Sequence, residues 1–304
     1  MNDLKVAILM SAYNGEKFIR RQIDSILAQQ GDFQLSLWVR DDGSTDSTRQ
    51  ILQALADEGK LRWYAGENLK PAKSFLDLVS HCPGYDYYAF ADQDDIWYPD
   101  KVRSGIRMLK AETGPAMSFA NAHLVDAEGN TLGRNVYNRV PQRDYCSVVC
   151  GGGILGCTVM FNAQLAALLR TYNRPDKLIM HDSYAAILCT LFDGVIHFDS
   201  EPHMDYRQHG NNVMGTQWTK WDALKERWGR ISKPEPVSIA DMAQSILAQD
   251  PQIPDPQKRQ WLQKVATYRN SLSSAISLAC SRKPRYNSRN MAITMRLAIL
   301  LRNR

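Results

Sequence analysis

Short apolar runs alternate with helical periods from residue 4 to residue 120, and that alternation constrains the fold more than any other feature. Val6–Met10 is continuously apolar, as in a parallel strand buried on both faces. Glu16–Gln29 follows with Phe18, Ile19, Ile23, Ile26 and Leu27 at helical spacing. Leu35–Val39, Leu61–Tyr64, Tyr87–Ala91 and Ala116–Ala120 read as further strands. Between them, Ser44–Ser47 offers N-caps for a helix to Asp57, and Ala72–Ser80 and Pro99–Lys110 read as helices. This predicts an α/β fold: a Rossmann-like, mainly parallel sheet with helices on both faces. Ligands of such sheets bind beyond the carboxyl ends of the strands.

The pattern weakens over 121–144, which reads as loop. Cys150–Phe161 opens with Gly151-Gly152-Gly153 and becomes strand-like. Asn162–Arg170 and His181–Leu191 read as helices, Gly194–Phe198 as a short strand and Tyr206–Met214 as a polar loop. Past Thr219, tryptophans and basic residues rise, and Pro234, Pro236, Pro251, Pro254 and Pro256 separate helical pieces. The expected organisation is a catalytic domain over 1–218 and a helical appendage over 219–304.

No apolar run approaches a membrane span. Met1-Asn2-Asp3-Leu4-Lys5 leads into a strand and is not read as a signal peptide. The six cysteines (Cys82, Cys146, Cys150, Cys157, Cys189, Cys280) are scattered without a CxxC pair. That argues against a zinc site or disulfide framework and for a reducing, cytoplasmic setting. The net charge of +5 is mild, and no nucleic-acid partner is expected.

The chemistry concentrates at strand ends. Tyr87–Ala91 closes on Asp92-Gln93-Asp94-Asp95. Three carboxylates in four positions repel unless solvent or a cation neutralises them. Oxygen-only ligands suit Mg²⁺ or Mn²⁺, which completes its shell with phosphate oxygens and water. The competing reading is an acidic turn capping the next helix. The second strand ends in Arg40-Asp41-Asp42-Gly43-Ser44, where a carboxylate can accept from a base imide or ribose hydroxyl, or merely form a turn. The first ends in Ser11-Ala12-Tyr13-Asn14-Gly15, a polar loop entering a helix. Neither the P-loop pattern nor the GxGxxG fingerprint is present.

Taken in order, Ser11-Ala12-Tyr13-Asn14, Arg40–Asp46 and Asp92–Asp95 resemble the motifs of family 2 inverting glycosyltransferases of the GT-A fold. Gly153–Thr158 looks like that family's acceptor-side segment, and His181-Asp182-Ser183-Tyr184 stands where its catalytic-base motif falls. Tyr206–Val213 resembles the bacterial rhamnosyltransferase-like branch. The resemblance spans about residues 4–215. It implies base recognition by Asp41, with Ala12, Tyr13 and Asn14 lining the same pocket. Asp92 and Asp94 would bracket a metal-diphosphate, with Asp94 the direct ligand. Asp182 would be the general base, and His209 would contact the metal or the leaving diphosphate. Many relatives have Glu-Asp at His181-Asp182, which leaves His181 between tuning the base, binding acceptor and being a satisfied core histidine. Trp97 is open between sugar stacking and core packing.

The function so implied is transfer of rhamnose or a hexose from a dTDP- or UDP-sugar, with Mg²⁺ or Mn²⁺, to a hydroxyl of a glycan or lipid-linked oligosaccharide in O-antigen or capsule synthesis. The alternatives are a sugar nucleotidyltransferase and a non-catalytic nucleotide- or carbohydrate-binding module. From Arg282 to Arg304 there are seven basic residues and no acidic one, interleaved with apolar positions. That segment reads either as a peripheral membrane contact or as packing on the appendage or a second subunit.

Overall fold

In the computed structural model, which describes residues 4–151, 153–173, 175–208 and 235–303, the apolar runs become strands, of which the central ones are buried on both faces. Strand β1 (Leu4–Ala12) shows why. Val6, Ile8 and Met10 face one hydrophobic cluster with Ile19, Ile23 and Ile26 of α1 (Ile19–Leu27) and Leu52 and Leu55 of α2 (Thr48–Asp57). Ala7 and Leu9 face another, with Phe75, Leu78 and Val79 of α3 (Lys70–His81). The two-residue period of a strand feeds both clusters, so an unbroken apolar run is what the position requires. Each such side chain contributes roughly 1.5–3 kcal/mol when fully buried.

The remaining elements are β2 (Phe33–Asp41), β3 (Arg62–Ala65), β4 (Tyr87–Ala91), β5 (Ile96–Trp97), α4 (Lys101–Leu109), β6 (Ala116–Val125), β7 (Thr131–Asn135), α5 (Tyr145–Val149), a 3-10 turn over Gly156–Thr158, β8 (Val159–Asn162), α6 (Ala163–Thr171), α7 (His181–Leu191) and β9 (Val195–Arg207). The C-terminal helices are α8 (Ile239–Leu247), α9 (Pro256–Thr267), α10 (Leu272–Ala279) and α11 (Arg289–Leu300). The sheet runs β3-β2-β1-β4-β8-β6-β9-β5, with β7 beside β6. The first four strands are parallel, β8 is antiparallel to β4 and β6, and β6 and β9 are parallel.

Expected boundaries hold closely through α4, and again for the helices at Asn162–Arg170 and His181–Leu191, but β6, β7 and β9 extend into segments read as loop. Residues 121–125, read as loop, continue β6, and 131–135 form β7. Strand β9 runs to Arg207, so Tyr206 and Arg207 are strand rather than polar loop. The β6–β9 register shifts between Ala120 and His123. Such bulges admit Asn121, His123 and Pro202 and break the alternation that reveals a strand. Thr48 N–H is capped by Asp46 Oδ1 (3.0 Å), not by Ser47.

The C-terminal helices pack on the α5–α7 layer. Gln249 Nε2 donates to Tyr184 Oη (2.9 Å), and Lys258 Nζ reaches Thr190 O and Asp193 Oδ1. Ile239, Met242, Trp261, Leu262 and Leu278 belong to the same apolar cluster as Tyr184 and Leu188. His209 and the boundary expected near residue 219 lie outside the described residues. Among the described residues no helix is long and apolar enough to cross a membrane.

Candidate active site

Ala12 pairs with Asp41 across β1 and β2, and Met10 pairs with Ala91 across β1 and β4. The loops carrying Tyr13, Asp41 and Asp92 therefore leave one rim of the sheet at adjacent strands. Both acidic strand ends flank the β1 loop.

On the β2 side, turn and loop are tied together side chain to backbone. Asn14, at φ 48°, donates its N–H to Ser44 Oγ (2.9 Å), and its Oδ1 accepts from Thr45 N–H (2.8 Å). Gly15 N–H donates to Thr48 Oγ1 (2.8 Å). The buried Asp41 carboxylate accepts from Ser44 N–H and from Arg49 Nε (2.6 Å). Arg49 is 45% exposed, so its end of that pair lies at the surface. Asp42 pairs with Arg40 and accepts Leu69 N–H (3.0 Å). Arg40 also holds Asp77 (2.9 Å) and Glu67 O (2.9 Å). Ala12 is buried, whereas Tyr13 is 48% exposed.

Gln93 joins this side to the acidic loop. Its Oε1 accepts Tyr13 N–H and its Nε2 donates to Tyr13 O, both at 3.0 Å. Nothing in the sequence marked Gln93 as more than a spacer between carboxylates.

The β4 side is electrostatically different. Asp92 and Asp94 are partly buried and Asp95 is fully buried. Asp95 does not cap α4, whose N-cap residue is Asp100. Its Oδ1 accepts Arg207 N–H (3.1 Å), and its Oδ2 is enclosed with no hydrogen-bond partner among the described residues. Burial, then the charges of Asp94 and Asp182, push Asp92 up to about 7. Burial, then Asp94 and Asp92, push Asp95 well above the usual carboxylate range. The ligand atoms of Asp92, Asp95 and Cys157 all lie within 4.8 Å of one another. Lys101 Nζ sits over the Trp97 ring at 4.6 Å, and burial lowers its pKa to about 8 against the opposing pull of Cys157 and Asp95. Trp97 is itself 3% exposed, so core packing, not sugar stacking, accounts for it.

This excess of enclosed negative charge fits a hard divalent cation. Carboxylate oxygens suit Mg²⁺ or Mn²⁺ better than the Cys157 thiol does, and of the three carboxylates Asp92 and Asp94 are the partly exposed ones. Arg207 does not offer a free guanidinium to an anion. Its Nε donates to Asp94 O (2.8 Å), its Nη1 to Ala127 O (2.9 Å), and it stacks over Phe18 at 5.0 Å.

Asp182 opens α7 and is buried. Burial raises its pKa to about 6, although the N–H groups of Ser183 and Gly156 oppose this by hydrogen bonding to the carboxylate. Its charge reaches Asp92, so the first turn of α7 faces the acidic loop. His181 is buried, stacked on Phe75 (3.9 Å, 29°) and edge-on to Phe90 (4.6 Å). Neither ring nitrogen has a partner among the described residues, and burial lowers its pKa to about 3. It is a neutral core imidazole, but not a satisfied one. Gly156 is tight against both: a Cβ there would lie 2.6 Å from His181 Nε2 and 3.2 Å from Asp182 Oδ2. Tyr137, in the segment read as loop, completes this wall. Its hydroxyl accepts Leu155 N–H (2.7 Å), and Asn121 holds its backbone at both N and O.

The profile described as glycosyl transferase family 2 matches residues 7–170. RfbG of Shigella flexneri, a dTDP-rhamnosyl transferase, is 27% identical over 245 residues, 73% of this chain and 81% of its own length. TuaG of Bacillus subtilis, a putative teichuronic acid biosynthesis glycosyltransferase, is 27% identical over 227 residues, 73% of this chain and 85% of its own. Residues 1–349 of S. aureus TarS, solved with UDP-GlcNAc, give a TM-score of 0.57 at 15% identity, covering 92% of this chain and 77% of that one. The mannosyltransferase PcManGT of Pyrobaculum calidifontis, solved with GDP-Man and Mn²⁺, gives 0.51 at 16% identity, covering 100% and 88%. At such identities the two structures speak for a shared fold alone.

Proposed function

Since this chain belongs to glycosyl transferase family 2 and has the GT-A fold, we propose that it transfers a sugar with inversion from a nucleoside-diphosphate donor to an acceptor hydroxyl. The observation that carries this reading is the buried Asp182 carboxylate beside Asp92, with its pKa raised to about 6. A base near the working pH is largely ionised yet still a competent proton acceptor. Asp182 takes the proton of the acceptor hydroxyl. The freed oxygen attacks the anomeric carbon on the face opposite the diphosphate, and the bond from that carbon to the diphosphate oxygen breaks. Asp92 and Asp94 would hold a divalent cation, which when bound offsets the charge developing on the leaving diphosphate. Asp41 receives the base, exchanging its contact with the surface-exposed Arg49, while Ala12, Tyr13 and Asn14 line the base and ribose.

The relationship to a dTDP-rhamnosyl transferase favours dTDP-rhamnose as donor, with a glycan or lipid-linked acceptor in surface polysaccharide synthesis. The teichuronic acid relative is consistent with the same product class. The test is a panel of nucleotide sugars with Mn²⁺ or Mg²⁺, following slow donor hydrolysis. Release of dTDP from dTDP-rhamnose is expected. Release of pyrophosphate would indicate nucleotidyl transfer, and no turnover of any donor would leave a binding module. An Asp182→Asn chain that binds donor but does not turn over separates that module from an enzyme.

A further inference from the structure

Leu272, Ile276, Ile293, Leu297 and Leu301 are five of the eleven exposed large apolar side chains among the described residues, and all five lie on or beside α10 and α11. Their concentration on two neighbouring helices sets them apart from ordinary scattered surface apolars. The helices run antiparallel. Arg296 Nη2 contacts Ser281 O at the end of α10, and Arg302 Nη1 contacts Arg269 O before its start, both at 3.5 Å. Residues 272 and 276 therefore stand level with 301 and 297. Each helix carries a second apolar face turned inward: Ala275, Leu278 and Ala279 on α10, and Met295, Ala298 and Ile299 on α11. This explains why the apolar positions of the C-terminal segment formed no single stripe in the sequence. One set packs on the protein and the other is left outward.

The segment 282–304, which carries Ile293, Leu297 and Leu301, has charge of one sign. Arg282, Arg289 and Arg296 are exposed, and with Arg302 they make no ion pair among the described residues. The segment 282–304 contains no acid. Glu235 comes close, its N–H meeting Asn303 O at 3.0 Å. Apolar residues rimmed by unpaired cations complement an anionic lipid surface, where the apolar groups enter the headgroup boundary and the cations meet phosphate.

We propose that the α10–α11 face docks on an anionic membrane surface. The face is tied to the reaction chamber: Arg285 pairs with Asp144 (3.1 Å) and its N–H donates to Ser147 Oγ (2.8 Å), at the start of α5. Helix α5 leads directly into Gly151–Thr158 and the Gly156 contact with Asp182. The α10–α11 pair is thereby anchored to the element that precedes the Gly156–Asp182 contact. The proposal goes beyond the reading as a glycosyltransferase, and vesicle binding requires no turnover, so either can fail alone.

The experiment is co-sedimentation of the full chain with vesicles of phosphatidylcholine containing 30% phosphatidylglycerol, against phosphatidylcholine alone. Binding to the anionic vesicles, weakened by salt, is expected. Ile293→Ser with Leu297→Ser, both at exposed positions that leave the inward face intact, should weaken it about 10-fold or more. Arg289→Glu with Arg296→Glu should do the same. Circular dichroism and donor affinity should be unchanged in both variants. Absence of binding at low salt, equal binding to both vesicle types, or binding untouched by either pair would overturn the proposal. So would a dimer in light scattering that the Ile293/Leu297 pair dissociates, because the face would then be a contact between copies of this chain.

Discussion

On the β2 side of β1, each carboxylate has a cation or an N–H in contact: Asp41 has Arg49 and Ser44, Asp42 has Arg40 and Leu69, and Asp46 has Thr48 and Glu16. On the β4 side, Asp92 and Asp182 are held above their ordinary range chiefly by burial, and Asp95 has an oxygen with no partner among the described residues. The two sides adjoin the same strand, so the difference is not one of scaffold. A paired carboxylate is fixed and can only recognise. An enclosed one whose hydrogen bonds do not offset its burial is kept at a free energy from which a proton or a cation brings it down. On the proposed reading recognition and chemistry divide across β1, and substitutions on the two sides should leave different kinetic signatures.

The largest contrast is expected from cation removal. Chelation by EDTA should abolish turnover, and Mn²⁺ or Mg²⁺ should restore it, because Lys101, its pKa lowered to about 8 by burial, offsets at most one of the carboxylates clustered on the β4 side. Full turnover in EDTA would erase the contrast. Asp182→Asn should lower kcat on the order of 10²-fold or more. Its melting temperature should not fall, since the change removes a charge that burial disfavours. Asp182 is protonated below about 6, so kcat of the native chain should fall as pH drops through that value. A pH-independent kcat between 5 and 8, estimated for a base of this kind, would place the base elsewhere.

Gly156→Ala tests the same side through packing. The added methyl would meet His181, which Phe75 and Phe90 prevent from yielding, so Asp182 must shift. A fall in kcat of about 10-fold with donor affinity unchanged is expected. Equal loss of both would mean the wall serves binding as well. The smallest effect on kcat should come from the other side. Asp41→Ala should raise KM for the donor about 10-fold while kcat stays within about 2-fold, since base contacts are the same in ground and transition states. Unchanged affinity for the free nucleoside diphosphate would remove Asp41 from the base pocket.

The same division decided what could be read from the sequence. Strands β1, β2 and β4 are buried on both faces, so their apolar runs were legible, and with them the rim that carries Asp41 and Asp92. The far half of the sheet was legible only in part: Ala116–Ala120 and Gly194–Phe198 read as strands, but their extensions to Val125 and Arg207 did not. Strand β6 carries Asn121 and His123 through its bulges, and β9 carries Pro202, so neither shows a clean period. Asp95 resembled a helix cap because capping and burial call for the same residue at the same spacing; the Arg207 N–H that binds it comes from a distant strand. Trp97 was ambiguous for a similar reason, since stacking on sugar and packing on a helix both want an aromatic. Asp182 was visible only through the order of motifs around it.

The Gln93 clasp has a consequence for how such a chain can change over generations. It grips residue 13 by its peptide N and O, so it is indifferent to the side chain there. The gripping residue has no such latitude: a carboxylate would lack the donor and a hydroxyl the reach. Gly15 is equally constrained, because a Cβ would strike the Gln93 amide at 2.1 Å. Position 13, half-exposed at the rim of the sheet, can therefore drift between bulky, small, polar and apolar residues without loosening the loop that presents it. Positions 15 and 93 absorb the architectural demand, and the residue between the two strand ends is left as a dial that selection can turn.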